Sequence, residues 1–151
     1  MSVSVHLLTR FPPIGFGQLR AEAEAEGFGH VERLAEQWED RSQRFQLDGE
    51  ALFAALSNDR LSGVGGITHD PVLPPTLALR VRRFYVRPEG RRQGVGRALL
   101  RRVVQHGLRH APVLVVNAPT PLAAAFYEGC GFTAVAEPGF THRLTREDDR
   151  T

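Results

Sequence analysis

The chain opens with Val3, Val5 and Leu7 alternating with Ser2, Ser4 and His6, the two-residue period of a strand with one covered face. Pro12 and Pro13 follow it as breakers. Residues 17–26 are mostly good helix formers set between glycines at 15, 17, 27 and 29, which predicts a first helix. Val31, Leu34, Ala35 and Trp38 fall at i, i+3, i+4 and i+7, so a second helix over His30–Asp40 turns this stripe to the core. Residues 51–57 and 61–68 read as a hairpin around Asn58 and Asp59, with a short helix as the alternative for the first arm. Glycines at 63, 65 and 66 mark a bulge or a close neighbour. The prolines of His69–Pro75 make that stretch a loop.

Residues 76–86 then alternate as a strand that stops at Pro88 and Gly90, and residues 95–108 follow as a helix with Leu99, Leu100, Val103 and Val104 on one face. Residues 113–116 form a short buried strand, 121–129 a helix, and 133–136 and 140–145 two further strands; Glu147–Thr151 reads as a frayed charged tail. Strands interleaved with helices predict an α/β fold whose sheet has mixed strand directions. No repeat or linker divides the chain, so one domain over residues 1–151 is expected.

Composition alters this picture little. With 42% apolar and 24% charged residues the chain is ordinary for a soluble globular protein. No apolar run approaches the roughly 20 residues of a membrane span, and the first ten residues lack the basic start and apolar stretch of a secretory signal. A cytoplasmic protein with no membrane partner is therefore expected. Cys130 is the one cysteine, which excludes an intrachain disulfide and a cysteine-cluster metal site; the six histidines show no close ligand spacing, so no metal is expected.

Charge is more informative. All 19 basic residues are arginines; residues 1–60 carry net −4 and residues 61–151 net +6. Arg80–Arg109 alone holds ten arginines against Glu89. Such a field attracts polyphosphate or nucleic acid, or it merely keeps solvated faces charged. No nucleic-acid-reading motif accompanies it, and the arginines are spread over strand, loop and helix, so nucleic acid is not an expected partner.

Arg91-Arg92-Gln93-Gly94-Val95-Gly96-Arg97 lies where a strand has ended and a helix begins. A helix start leaves backbone N–H groups unpaired at the end of the dipole that favours an anion, and glycines at 94 and 96 let a phosphate come close. The stretch reads as a diphosphate cradle. It lacks the Gly-Lys-Ser/Thr of a nucleotide P-loop, and the residue at 99 is leucine where a dinucleotide fingerprint has its third glycine.

Phe84-Tyr85-Val86-Arg87-Pro88, then Arg91-x-x-Gly94-x-Gly96, then Phe126-Tyr127-Glu128-x-x-Gly131-Phe132 together resemble the GNAT acetyltransferase family, most closely over residues 76–132. The resemblance implies a mixed, mostly antiparallel central sheet of about six to seven strands with helices on both faces. It implies acetyl-CoA as cosubstrate and acetyl transfer to an amine of a small-molecule or peptide acceptor. Backbone groups at Phe84 and Val86 would meet the pantetheine arm; the amides from Arg92 through Gln93, Gly94, Val95 and Gly96 to Arg97 would hold the pyrophosphate; Arg91, Arg92, Arg97 and Arg101 would add side-chain contacts. Relatives usually carry Asn where Thr120 stands, a departure that keeps a sound N-cap ahead of Pro121 while altering one coenzyme contact; Asn117 lies nearby as an alternative. A homodimer is common among such proteins, but no interface is legible here.

Acetyl transfer needs a neutral amine, a polarised carbonyl and a proton for the departing thiolate. The resemblance gives the proton to Tyr127 and the oxyanion contact to the N–H near Val86. Where histone-modifying relatives carry a glutamate base, this sequence has Arg80; Glu50, a histidine or water stays open for that role. Arg80 and Arg82 share one face of their strand, either toward an acceptor carboxylate or toward solvent. His142 on the last strand and His30 at a helix start are further candidates, each against a structural reading. The glutamates of residues 22–36 either draw a cationic amine or form a solvated helix face. A non-catalytic acyl-CoA sensor is the alternative to an enzyme, motivated by the missing carboxylate and by Thr120.

Overall fold

The computed structural model describes residues 2–149. In chain order the elements are β1 (Val3–Leu7), α1 (Phe16–Ala25), α2 (His30–Asp40), β2 (Ala51–Ser57), β3 (Arg60–His69) and β4 (Ala78–Val86). A 3-10 turn over Pro88–Gly90 leads to α3 (Val95–His110), β5 (Val113–Val116), α4 (Pro121–Gly129), β6 (Thr133–Glu137), β7 (Phe140–Thr145) and α5 (Arg146–Asp149). All seven strands join one sheet in the order β1-β2-β3-β4-β5-β7-β6. Every neighbouring pair is antiparallel except β4 and β5. Among the described residues no helix is long and apolar enough to cross a membrane.

Each face of the sheet has its own core. On one, α3 and α4 cover Phe53, Ala55, Ile67, Leu79, Val81, Leu114 and Val116. On the other, α1 and α2 lay Leu19, Ala23, Val31 and Leu34 on Leu52, Ala54, Val64 and Tyr85. Covering both faces explains why Ala51–Ala55 of β2 is buried without interruption, where a half-exposed strand would alternate. Gly107 lets α3 lie directly on the sheet: a Cβ there would stand 2.6 Å from Ile67 and 2.7 Å from Leu114. The β2–β3 hairpin turns on Asn58 and Asp59, both left-handed (φ 50° and 65°), as the twist of a two-residue hairpin requires.

Two features position the site. The parallel β4–β5 pairing covers only Ala78↔Val113, Leu79↔Leu114 and Arg80↔Val115. Beyond Arg80 the strands part, leaving the β5-facing edge of residues 82–86 without a strand partner. β4 also carries a bulge: Val64 faces Tyr85 while Gly66 faces Arg82, so β4 holds one residue more than β3 between these pairs, and Arg83 is left-handed there (φ 57°). Gly65 makes room for the Phe84 ring, which a Cβ would meet at 2.7 Å.

The end of the chain differs from the frayed tail that its charge suggests. Residues 146–149 form the helical turn α5, because Thr145 Oγ1 accepts from the Asp148 N–H at 3.1 Å and Arg146 Nε donates to the Leu108 carbonyl at 2.9 Å. Arg150 and Thr151 lie outside the described residues.

Burial holds the pKa of His30 and His106 below the ordinary histidine value. The unfolded chain protonates both near 6.5 while the folded chain resists, so the unfolded chain binds more protons just below that pH, and stability falls as pH drops through this window. Tm measured from pH 7.5 to 5.5 is therefore expected to decrease, and less so in His106→Gln; a Tm that rises on acidification would contradict this.

Candidate active site at the parting of β4 and β5

Backbone alternation decides what the open edge of β4 offers. The Arg87 N–H donates to Ser62 O of β3 at 2.8 Å. The N–H and C=O groups of Val86 and Phe84 therefore point the other way, toward the opening. Side-chain donors reach both carbonyls from that side: His30 Nε2 donates to Phe84 O at 2.9 Å and Arg91 Nε donates to Val86 O at 3.1 Å. The amides of Phe84 and Val86 remain as donors lining the opening.

Tyr127 closes the inner end. Its ring packs against Phe84, Phe126 and Phe132 at centroid distances of 6.1, 5.3 and 5.4 Å. The residue is 5% exposed, yet its hydroxyl has no hydrogen-bond partner among the described residues and is not fully enclosed. Burial pushes the phenol above its ordinary value, so it stays protonated at neutral pH and keeps a proton to give.

The first turn of α3 presents backbone N–H groups without a side-chain cap. Its N-cap is Gly94 at φ 83°, which offers no side chain to the helix end, and no acidic residue stands in the first turn. The first helical bond runs from the Ala98 N–H to Gly94 O at 3.0 Å, so the amides ahead of it are free of intrahelical partners. A Cβ on Gly94 would point into open space; one on Gly96 would meet the Phe126 ring at 3.2 Å. By contrast, α4 is capped within the protein, Thr120 Oγ1 accepting from the Ala123 N–H at 3.1 Å with Pro121 next.

The residues expected at the site divide accordingly. Phe84, Val86, Gly94, Gly96 and Tyr127 gather around the opening and the start of α3. Val95 offers only its backbone, since its side chain is fully buried in the core. Arg92 (φ 62°), Gln93 and Arg97 are exposed on the loop and first turn, and Arg97 donates weakly to Gly129 O at 3.4 Å. Arg91 is committed elsewhere. Its two terminal nitrogens donate to Glu26 at 2.8 and 2.7 Å and its guanidinium lies 5.7 Å from the Tyr85 ring centroid. Tyr85 also donates its hydroxyl to Glu26, at 2.5 Å, and Arg91 holds the Glu26 carboxyl below its usual range. This network fastens the end of α1 to the loop. Glu26→Ala leaves the buried Tyr85 hydroxyl unpaired and is expected to cost about 1–3 kcal/mol in urea denaturation; an unchanged midpoint would contradict the assignment.

The candidate bases fare unequally. Glu50 is buried and accepts the N–H groups of Leu47 and His69 at 3.2 and 2.9 Å. His142 is held between Glu128 (2.8 Å) and Thr141 (2.7 Å). Arg80 binds Asp70 at 2.8 Å and Gly139 O at 2.5 Å, tying β4 to the preceding loop and to the β6–β7 turn. His30 alone of these touches the β4 edge at the opening. A cavity of about 630 Å³ runs along α3, lined in part by Arg97, Arg101, Arg102 and Cys130 together with Leu100, Val104 and Val5 of β1.

Likeness to known proteins agrees with this geometry. The sequence profile of the acetyltransferase (GNAT) domain matches residues 18–145. A proposed acetyltransferase from Exiguobacterium sp. 255-15 is 32% identical, superposes with a TM-score of 0.87 and covers 98% of this chain and 96% of its own. A proposed GNAT-family acetyltransferase from Desulfovibrio desulfuricans shares 21% identity at a TM-score of 0.72, covering 95% of this chain and 99% of its own. The AtaT toxin, solved with acetyl-CoA and the C-terminus of its antitoxin AtaR, shares the fold at 14% identity and a TM-score of 0.68, covering 98% of this chain and 96% of its own. No curated protein sequence matches the chain. This chain belongs to the GNAT acetyltransferase family.

Proposed function

We propose that this protein moves an acetyl group from acetyl-CoA directly to the amine of a small-molecule or peptide acceptor, with Tyr127 as general acid. The observation that carries the reading is the conjunction of an unpaired β4 edge, an unpartnered Tyr127 hydroxyl and a bare α3 N-terminus around one opening. The residues fit the cosubstrate. The amides from Arg92 to Arg97 hold the pyrophosphate, Arg97 and Arg101 meet the outer phosphates, and Phe84 and Val86 receive the pantetheine arm along the edge that β5 has left.

The Val86 N–H stabilises the oxyanion as the amine nitrogen attacks the thioester carbonyl. The C–N bond forms, the C–S bond breaks, and the leaving sulfur takes the Tyr127 proton. The amine's surplus proton leaves through water, His30 being the titratable side chain at the edge and held neutral by its burial. Thr120 is spent on its own helix, so it contributes by placing Tyr127 rather than by a side-chain contact.

The test is turnover of acetyl-CoA with a panel of primary amines, following free thiol and acetamide together. Both should appear in equal amounts. Because burial keeps Tyr127 protonated well above pH 10, kcat/KM is expected to rise with pH as the acceptor amine deprotonates and to show no fall up to about pH 10; a descending limb near pH 8–9 would contradict the assigned acid.

A further inference from the structure

The α1–α2 face of the sheet holds a second polar site beside the bulge. A cavity of about 150 Å³ lies there, lined by Gln37, Ser42, Gln43, Thr68, Arg82 and Arg83 among others. At about 30 Å³ of liquid volume per water molecule, it has room for a head group of a few heavy atoms. Phe45 and His69 complete a wall otherwise rich in donors, and among the described residues no Asp or Glu lines it. Gln37 Oε1 accepts from Arg83 Nη2 at 3.0 Å and Gln43 Oε1 accepts from the Phe45 N–H at 2.6 Å. Both amide oxygens are thereby used, leaving both NH2 groups to give.

Arg82 is the centre of this site. Among the described residues, none of its guanidinium nitrogens makes a hydrogen bond or an ion pair. The acids that act on it, Asp70 and Glu50, are hydrogen-bonded to other groups: Asp70 to Arg80 and the N–H groups of Val72 and Leu73, Glu50 to the N–H groups of Leu47 and His69. Arg80, Arg83 and Arg33 add like charges around Arg82. Burial and these like charges lower the pKa of both guanidiniums, Arg83 to about 10, which leaves them cationic at neutral pH. A partly buried cation that no acid hydrogen-bonds costs folding free energy. The cost stands next to a left-handed arginine, at the residue before Phe84, where strain is kept for function more often than by accident.

We infer that this cavity grips a carboxylate carried by the acceptor itself, so that the amine to be acetylated belongs to an amino acid or similar carboxylated amine. The word acceptor rests on the transferase reading above; the carboxylate site does not. Two planar guanidiniums and two amide NH2 groups match the in-plane lone pairs of a carboxylate. Arg82 lies two residues before Phe84, across the bulge at Arg83, so the carboxylate site and the opening where the amine reacts share one stretch of β4.

The experiment compares ω-amino acids from glycine to 6-aminohexanoate with their matched amides and with diamines. In wild type, kcat/KM for the preferred acid is expected to exceed that for its amide by about tenfold to a hundredfold, the worth of a charged hydrogen-bond pair. Arg82→Gln is expected to abolish that preference, with acetyl-CoA affinity unchanged and Tm equal to or above wild type; a merely structural arginine would lower Tm. On coenzyme-free protein, the same acids are expected to shift the Arg82 and Arg83 Nε–H resonances in 15N–1H spectra, and the amides are not. This second arm decides the site even if no amine is acetylated, so failure of the transferase reading is told apart from failure of the carboxylate site. Amides or diamines turned over as well as acids, a preference that survives in Arg82→Gln, or arginine resonances unmoved by every acid would each overturn it.

Discussion

Replacing Tyr127 with phenylalanine is expected to lower kcat by about two to four orders of magnitude, the usual contribution of a positioned general acid, with acetyl-CoA binding essentially unchanged. The ring is the structural part of this residue: it packs with Phe84, Phe126 and Phe132, and phenylalanine keeps all three contacts. The hydroxyl makes no hydrogen bond to any described residue, so removing it orphans no donor or acceptor among them. Stability should therefore be preserved while proton delivery to the leaving sulfur is lost. Unchanged turnover in Tyr127→Phe would remove Tyr127 from the mechanism. A wild type that binds acetyl-CoA but never turns it over would favour the sensor reading.

Gly94→Glu combined with Gly96→Glu is expected to abolish acetyl-CoA binding. At Gly94 the new side chain enters open space, so its carboxylate stands where the pyrophosphate would lie, and its left-handed backbone (φ 83°) costs about 1–2 kcal/mol for an L residue. At Gly96 the first added carbon already meets the Phe126 ring at 3.2 Å, which disturbs the packing between Phe126, Phe84 and Tyr127. The single Gly94→Glu variant separates charge from packing. Thermal shift reads both: saturating acetyl-CoA at about 100 times Kd stabilises a folded binder by about 2.7 kcal/mol, so wild-type Tm should rise and that of either variant should not. An equal rise in all three would place the phosphates elsewhere.

Much of the fold could be read from local pattern because local rules coincide with the tertiary result. The stripe Val31, Leu34, Ala35 and Trp38 does face its core, and the Thr120-Pro121 pair caps α4 through the predicted hydroxyl. The hairpin turned where Asn58 and Asp59 tolerate left-handed backbone. What stayed hidden depends on long-range company. Nothing near Arg91 signals that Glu26, 65 positions earlier, takes its guanidinium. The two-residue period of β4 gives no hint of the bulge at Arg83, because a bulge shows only against its partner strand. The same alternation put Arg80 and Arg82 on one face correctly, but their fates diverge: Asp70 and Gly139 capture the first and leave the second facing a cavity. His30 likewise became interpretable once β4 placed the Phe84 carbonyl beside it.

The central claim is that the opening between β4 and β5, together with the bare start of α3, is an acetyl-CoA site. Calorimetric titration of acetyl-CoA into the wild-type protein tests it most directly, with Gly94→Glu titrated in parallel. One saturable site per chain, absent in the variant, is the result this account predicts. No saturable heat from the wild-type protein would contradict it.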